Sequence, residues 1–114
     1  LSVHLAAARA QSLIELVDDA ETAVAVKNAP RLSVIAGPEE SLAQVVRIAD
    51  AMDVRTQRLP APYAFHSPML GAAAERFARA ISGVAQRPLR ARVYSPVARR
   101  WAADGMDLKQ LLVR

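Results

Sequence analysis

The spacing of hydrophobic positions predicts six elements in the first sixty residues. Residues 1–5 (LSVHL) alternate apolar and polar side chains, which is the period of a half-buried strand, and residues 6–17 change to helical spacing. The segments 22–28 and 31–36 are short and rich in β-formers, so they predict a hairpin.

The run NAP (28–30) between these strands is predicted to be a turn, because a residue before proline is disfavoured in the α region. The run GPEE (37–40) predicts the start of a second helix, with Pro38 at the first helical position and two acids facing the positive end of the helix dipole. Its apolar face continues to about residue 53, and residues 54–59 predict a weaker strand.

The predicted order β-α-β-β-α-β is that of a ferredoxin-like, antiparallel α+β subdomain covering residues 1–60. After it, apolar residues at 3-4-4-3 spacing predict a helix over 68–83, followed by a strand at 90–95 and a last helix over 107–114. The second part, 61–114, is thus expected to be helix, strand and helix. The chain opens inside a strand without methionine and stops inside a helix, so both ends suggest a piece of a longer protein.

Composition narrows the class of protein. The chain has 114 residues, of which 53% are hydrophobic, which is enough for one domain with its own core. It has no cysteine, which excludes disulfides and thiol chemistry and fits a reducing compartment. No apolar run reaches the roughly 18 residues of a membrane span, and no signal peptide opens the chain, so a cytoplasmic protein without membrane contact is expected.

The net charge of +4 comes from thirteen arginines and two lysines against eleven acids. Five of the arginines fall within residues 87–100, a stretch without any acid: Arg87, Arg90, Arg92, Arg99 and Arg100. The stretch is either a solvated surface or a docking surface for an acidic partner, such as nucleic acid or an acidic carrier protein. The predicted strands lack the stacking aromatics of RNA-binding sheets, which argues against nucleic acid.

One of the two histidines, His66, stands in a proline-bracketed loop directly before the predicted amphipathic helix. A histidine at such a junction suits a general base facing a cleft, although many loop histidines are surface groups without chemistry. His4 lies in strand alternation and is interpreted as an edge or interface residue. The two histidines are far apart, and no cysteine or carboxylate stands at a ligand spacing, so no metal site is expected.

A base needs a nucleophile, and none of the serines of the chain stands in the G-x-S-x-G elbow that exposes a hydroxyl. Glycine-rich phosphate loops are also missing from the sequence. From the residues alone, two classes remain open. The chain is either part of an enzyme whose nucleophile lies elsewhere, or a stand-alone ferredoxin-like module that binds nucleic acid or a small ligand without catalysis.

Three motifs in fixed order, NAPRLSVIAG (28–37), RLPAPYAFHSPML (58–70) and RVYSPV (92–97), resemble the acyltransferase domains of polyketide synthases. That family includes the malonyl-CoA:acyl carrier protein transacylases, and the resemblance runs from about residue 1 to at least 97. It implies a ferredoxin-like small subdomain inserted into an α/β-hydrolase-like body. Residues 61–114 would then be the catalytic-histidine loop and the return segment of that body.

The resemblance also implies a mechanism. A serine in a G-H-S-x-G elbow, outside this sequence, is acylated by a malonyl-type CoA thioester and passes the acyl group to the phosphopantetheine thiol of an acyl carrier protein. His66 matches the general base of this ping-pong scheme. The chain by itself is therefore expected to be inactive. Residues matching Asn28 lie near the cleft in this family, which would make Asn28 a substrate-binding residue; the alternative is a simple turn asparagine.

In the family, the four residues that end at this histidine correlate with the extender unit, HAFH with malonyl and YASH with methylmalonyl. Here they are the hybrid Tyr63, Ala64, Phe65 and His66. A bulky ring beside the acyl α-carbon would leave no room for a methyl branch, so Phe65 predicts malonyl selectivity, with Tyr63 as a second substrate-binding residue.

The remaining expectations also come from the resemblance. The implied partners are malonyl-CoA, an acyl carrier protein, the rest of the acyltransferase and an adjacent ketosynthase domain, with no nucleic acid. No cofactor is expected to bind these residues, and the implied setting is secondary metabolism such as antibiotic biosynthesis. The run ARRW (98–101) replaces the small residues and glycine usual after the third motif, which leaves a modular or an iterative synthase open.

Overall fold

The computed structural model of the chain describes residues 1–103 and 105–113 and divides into two compact units, Leu1–Gly71 and Ala72–Arg114. The first unit includes the loop that carries His66. The sequence-based boundary between residues 60 and 61 concerns the subdomains of the whole family domain and stays a prediction.

The first unit is a four-stranded antiparallel sheet with two α-helices. In chain order its elements are β1 (Ser2–Val3), α1 (Ala7–Glu15), β2 (Ala23–Ala29), β3 (Leu32–Ala36), α2 (Glu39–Ala51) and β4 (Thr56–Gln57), followed by a 3₁₀ turn (Pro68–Leu70). The strand order is β2-β3-β1-β4, and each neighbouring pair is antiparallel. This is the ferredoxin-like order, so the predicted fold class is confirmed.

The two strands predicted as 1–5 and 54–59 are shorter than expected. β1 pairs with β4 only through Ser2 opposite Gln57 and Val3 opposite Thr56. One further bond runs from the backbone N–H of His4 to the carbonyl oxygen of Arg55 at 3.0 Å, after which the chain turns into α1. The alternation of side chains continues beyond the point where the strands separate, and this is why the sequence overestimates their length.

The prediction of a turn at Asn28 is wrong. Ala29 pairs with Leu32, so Pro30 and Arg31 alone connect β2 to β3. Lys27 pairs with Ser33, the next residue of β3, which leaves Asn28 as the extra residue of a β-bulge. Proline fixes its own φ at a turn position, and the residues before it therefore stay in the extended strand.

Both helices are followed by an aspartate with positive φ. Asp18 after α1 and Asp53 after α2 each have φ of 53°, a left-handed conformation that aspartate tolerates better than most residues. At its other end, α2 begins one residue later than predicted, because Pro38 is the N-cap with ψ of 150°. The acidic first turn, Glu39 and Glu40, is where the sequence predicts it.

The core of the first unit lies between the sheet and the two helices. Its buried members are Leu1, Val3, Leu5, Ala10, Leu13, Ile14, Ile35, Leu42, Val45 and Ala49. The buried hydroxyl of Ser33 donates a hydrogen bond to the carbonyl oxygen of Leu5 at 3.0 Å, so the core's polar group is satisfied. The apolar faces that helical and strand periodicity predict therefore pack against each other in one core layer.

The second unit differs from the predicted helix, strand and helix. The helix α3 (Gly71–Ile81) begins only after the 3₁₀ turn, β5 (Tyr94–Ser95) pairs with an unpredicted strand β6 (Arg100–Trp101), and α4 (Leu108–Val113) ends the described chain. Arg114, at the end of the predicted last helix, lies outside the described residues. No described residue from 72 onward is buried. None of the described helices has the length and apolar character that a membrane crossing requires.

Candidate active site

A cavity of about 550 Å³ in the first unit brings together all four site residues expected from the sequence and the resemblance: Asn28, Tyr63, Phe65 and His66. Its walls come from the hairpin β2–β3, the first turn of α2 and the segment from Arg58 to Met69. These segments are distant in sequence, so the tertiary structure brings them together around the cavity.

Asn28 reaches the cavity through the bulge in β2, a strand at the edge of the sheet. Ala25 is the extra residue of a second bulge in the same strand and also lines the cavity. A bulge bends a strand and changes the direction of a side chain, and bulges are frequent beside active sites. Asn28 is exposed at the cavity, and the substrate-binding role that the resemblance implies for it stays a prediction.

Tyr63 and Phe65 form an aromatic pair that also lines the cavity. Their ring centroids are 5.9 Å apart with an angle of 72° between the planes, the edge-to-face arrangement that aromatic rings favour. Phe65 keeps 52% of its surface exposed, so its ring stands free towards the cavity and solvent.

His66 has φ of 58°, the left-handed region that non-glycine residues rarely adopt. The following residue, Ser67, caps the 3₁₀ turn in extended conformation and donates its hydroxyl to the carbonyl oxygen of Ala64 at 2.7 Å. The imidazole is exposed and lines the cavity, which leaves it accessible to a reacting group. Because the Ser67 hydroxyl is engaged within the loop, Ser67 is a poor nucleophile for this histidine.

Two charged residues at the cavity were not singled out by the sequence. The guanidinium of Arg58 donates two hydrogen bonds of 2.6 Å each to the two carboxylate oxygens of Glu39. The pair joins the end of β4 to the first turn of α2, and both residues line the cavity. The sequence shows an acidic residue in the first turn of a predicted helix and a basic residue just before the histidine loop. Their spacing alone does not show that these two side chains form an ion pair.

Gly37 is a third cavity residue that the sequence did not mark as part of the site. It lines the cavity between β3 and α2, and a Cβ at this position would lie 2.3 Å from Oγ1 of Thr22. That hydroxyl donates a hydrogen bond to Asp19 at 2.6 Å, and this bond, together with one from the backbone N–H of Glu21 at 3.1 Å, holds the pKa of the Asp19 carboxyl below its ordinary value.

The chemistry that the cavity offers is that of one base in a largely apolar pocket. Its walls are mainly aliphatic and aromatic, and none of the described serine or threonine residues lines it. In the part of the chain that the structure describes, no three histidine, aspartate or glutamate residues come together as potential metal ligands. The cavity therefore suits acid–base chemistry on a group supplied from outside these residues.

The arginines of 87–100 belong to the second unit and are all exposed. The guanidinium of Arg92 lies 4.5 Å from the ring centroid of Trp101, and Tyr94 packs edge-to-face on the same indole at 5.5 Å. Cation–π stacking explains the position of Arg92.

No family model matches the chain. Among curated relatives, the polyketide synthase GfsE of Streptomyces halstedii is 32% identical over 91 residues, which cover 79% of this chain and 2% of that protein. The chain thus spans only a very small share of the length of the curated relatives that it matches.

Two solved structures extend the similarity to nearly the whole chain. The acyltransferase domain of the iterative polyketide synthase in enediyne biosynthesis is 33% identical with a TM-score of 0.76, covering 99% of this chain and 29% of that one. The acyltransferase domain from module 8 of the salinomycin polyketide synthase is 26% identical with a TM-score of 0.80, covering 98% and 26% respectively.

Proposed function

The chain belongs to the acyltransferase domain family of polyketide synthases, and on this premise we propose that the complete domain of which it is a part, called the parent domain below, transfers an acyl group from a CoA thioester to an acyl carrier protein. The observation that carries the proposal is the cavity that gathers Asn28, Tyr63, Phe65 and His66. A stand-alone ligand-binding or nucleic-acid-binding module is not favoured, since the similarity is to domains of larger synthases.

In the first half-reaction, a serine hydroxyl from outside these 114 residues attacks the thioester carbonyl while the imidazole of His66 takes the hydroxyl proton. The C–S bond then breaks and His66 returns the proton to the departing CoA thiolate. The products are an ester on the serine and free CoA. The exposed imidazole at the cavity supports this role.

In the second half-reaction, the phosphopantetheine thiol of a carrier protein loses its proton to His66 and attacks the ester carbonyl. The C–O bond breaks and the serine oxygen regains a proton from His66, which completes a ping-pong cycle. This scheme needs no cofactor on the chain itself. We place the reaction in the cytoplasm, within a synthase that also carries a ketosynthase domain.

We further propose that the acyl group is malonyl. The ring of Phe65, which lines the cavity and contacts Tyr63 edge-to-face at 5.9 Å, supports this choice, because a bulky ring beside the acyl α-carbon would leave no room for a methyl branch. A single methyl group is discriminated by about 1–3 kcal/mol in a pocket of this kind. Selectivity is therefore expected to be strong but not absolute.

Incubation of the complete parent domain with malonyl-CoA is expected to give a covalent malonyl adduct, detected by intact-protein mass spectrometry. Added carrier protein with its phosphopantetheine arm should remove the adduct and acquire the malonyl group. The chain 1–114 alone is the control and is expected to stay unmodified. A parent domain that gains no adduct from any acyl-CoA contradicts the proposed function.

Phe65→Ser in the parent domain is expected to shift the ratio of methylmalonyl-CoA to malonyl-CoA hydrolysis by about 10- to 200-fold towards methylmalonyl, because the smaller side chain admits the branch. The matched variant Phe65→Leu keeps the bulk and should retain the malonyl preference. Rates of CoA release from both esters give the ratio. An unchanged ratio in Phe65→Ser would remove Phe65 from substrate selection.

A further inference from the structure

The loop that carries the proposed base has few polar attachments to the rest of the first unit. Between residues 59 and 67 its hydrogen bonds are local: the N–H of Ala61 donates to the carbonyl of Leu59 at 2.8 Å, the Ser67 hydroxyl to the carbonyl of Ala64 at 2.7 Å, and the N–H of Leu70 to the carbonyl of Ser67 at 3.2 Å. Within 1–103 and 105–113, no side-chain hydrogen bond joins this loop to the sheet or to either helix. Polar contacts therefore restrain the loop at its ends.

The Arg58–Glu39 pair provides such an attachment at the N-terminal end. Glu39 is fixed in the first turn of α2, where the helix dipole favours a carboxylate, and Arg58 binds both of its oxygens at 2.6 Å. A bidentate guanidinium–carboxylate contact restrains orientation as well as distance, which a single hydrogen bond does not.

From Arg58 onward the backbone is stiff. Pro60 and Pro62 each fix φ near about −65° and restrict the residue before them, so the direction given at Arg58 is carried towards Phe65 and His66. His66 itself adopts φ of 58°, a conformation that persists only when the surrounding structure determines it. The orientation of the base therefore depends on how the loop enters the cavity.

We propose that Arg58 and Glu39 are positioning residues that set the entry of the histidine loop and thereby the placement of Phe65 and His66 in the cavity that Asn28 also lines. The proposal rests on the proposed function, because it assigns the pair to the same site. The two side chains keep 45% and 79% of their surface exposed, so the pair contributes little to overall stability. Its effect is expected in catalysis, where small displacements of a base are costly.

The test uses the complete parent domain with the variants Arg58→Gln, Glu39→Gln and the exchanged pair Arg58→Glu with Glu39→Arg. Each single variant is expected to lower kcat for malonyl-CoA hydrolysis about 5- to 100-fold, since a misplacement of about 1 Å can cost that much, and to leave the melting temperature nearly unchanged. The exchanged pair should recover part of the loss. Arg55→Gln is the control, an exposed arginine near β4 that forms no ion pair among the described residues.

A second readout does not require activity. Hydrogen exchange followed by mass spectrometry on the parent domain should show faster exchange in the peptide covering 59–67 for both single variants, but not for Arg55→Gln. Unchanged exchange and unchanged kcat would overturn the positioning role. If Arg58→Gln raises KM while Glu39→Gln does not, Arg58 binds the substrate directly, which also overturns it. The wild-type domain could be inactive while hydrogen exchange in the peptide 59–67 still depends on the Arg58–Glu39 pair. In that case the proposed function fails, but the pair still positions the loop.

Discussion

Replacing His66 by asparagine in the complete parent domain is expected to lower the rate of self-acylation from malonyl-CoA by about 10²- to 10⁴-fold, the usual contribution of a general base. Asparagine is the informative replacement because it tolerates the left-handed conformation of this position, φ of 58°, better than alanine does. The backbone conformation is then retained, and the loss measures proton transfer. Stopped-flow detection of released CoA gives the rate.

The other histidine supplies the control. His4 is exposed and does not line the cavity, so His4→Asn should acylate at the wild-type rate. Binding of malonyl-CoA, measured by calorimetry on a parent domain whose nucleophilic serine is replaced by alanine, should persist in the His66 variant. Self-acylation of His66→Asn at the wild-type rate would show that another group accepts the proton.

Gly37→Ala is expected to destabilise the first unit by about 1–3 kcal/mol, the range found when atoms are forced into packed sites. The new Cβ would lie 2.3 Å from Oγ1, 2.9 Å from Cβ and 3.0 Å from Cα of Thr22. Because one of these atoms is backbone, a simple rotation of the threonine side chain does not relieve the contact. Denaturant unfolding of the parent domain, followed by a probe in the first unit, gives the change in free energy.

Gly71→Ala is the matched control for this substitution. Gly71 begins α3 with φ of −52°, and a Cβ there would meet nothing within 4 Å. Alanine is favoured over glycine in a helix, so the control should be neutral or slightly stabilising. Equal stability of the two variants would mean that the segment from Thr22 to Gly37 adapts, and the close approach would not be a constraint.

The hydrophobic periodicity by itself determined the β-α-β-β-α-β order of the first unit. A half-buried strand repeats its apolar residues about every two positions and a helix that packs on the sheet about every 3.6 positions. Each interval can be recognised from residues that are close together in the sequence. The AFHSP motif at residues 64–68 likewise indicated the family, because it is a contiguous run of residues whose identity and order need no folding to be recognised. Local information sufficed for both.

Only the tertiary structure decided where the site residues meet. The bulge at Asn28 depends on register with β3, the Arg58–Glu39 pair joins residues 19 positions apart, and the need for glycine at position 37 arises from Thr22. The hairpin of β5 with β6 in the second unit is also a pairing between segments. Such features depend on distances between remote parts of the chain, which a local pattern of apolar and polar residues does not encode.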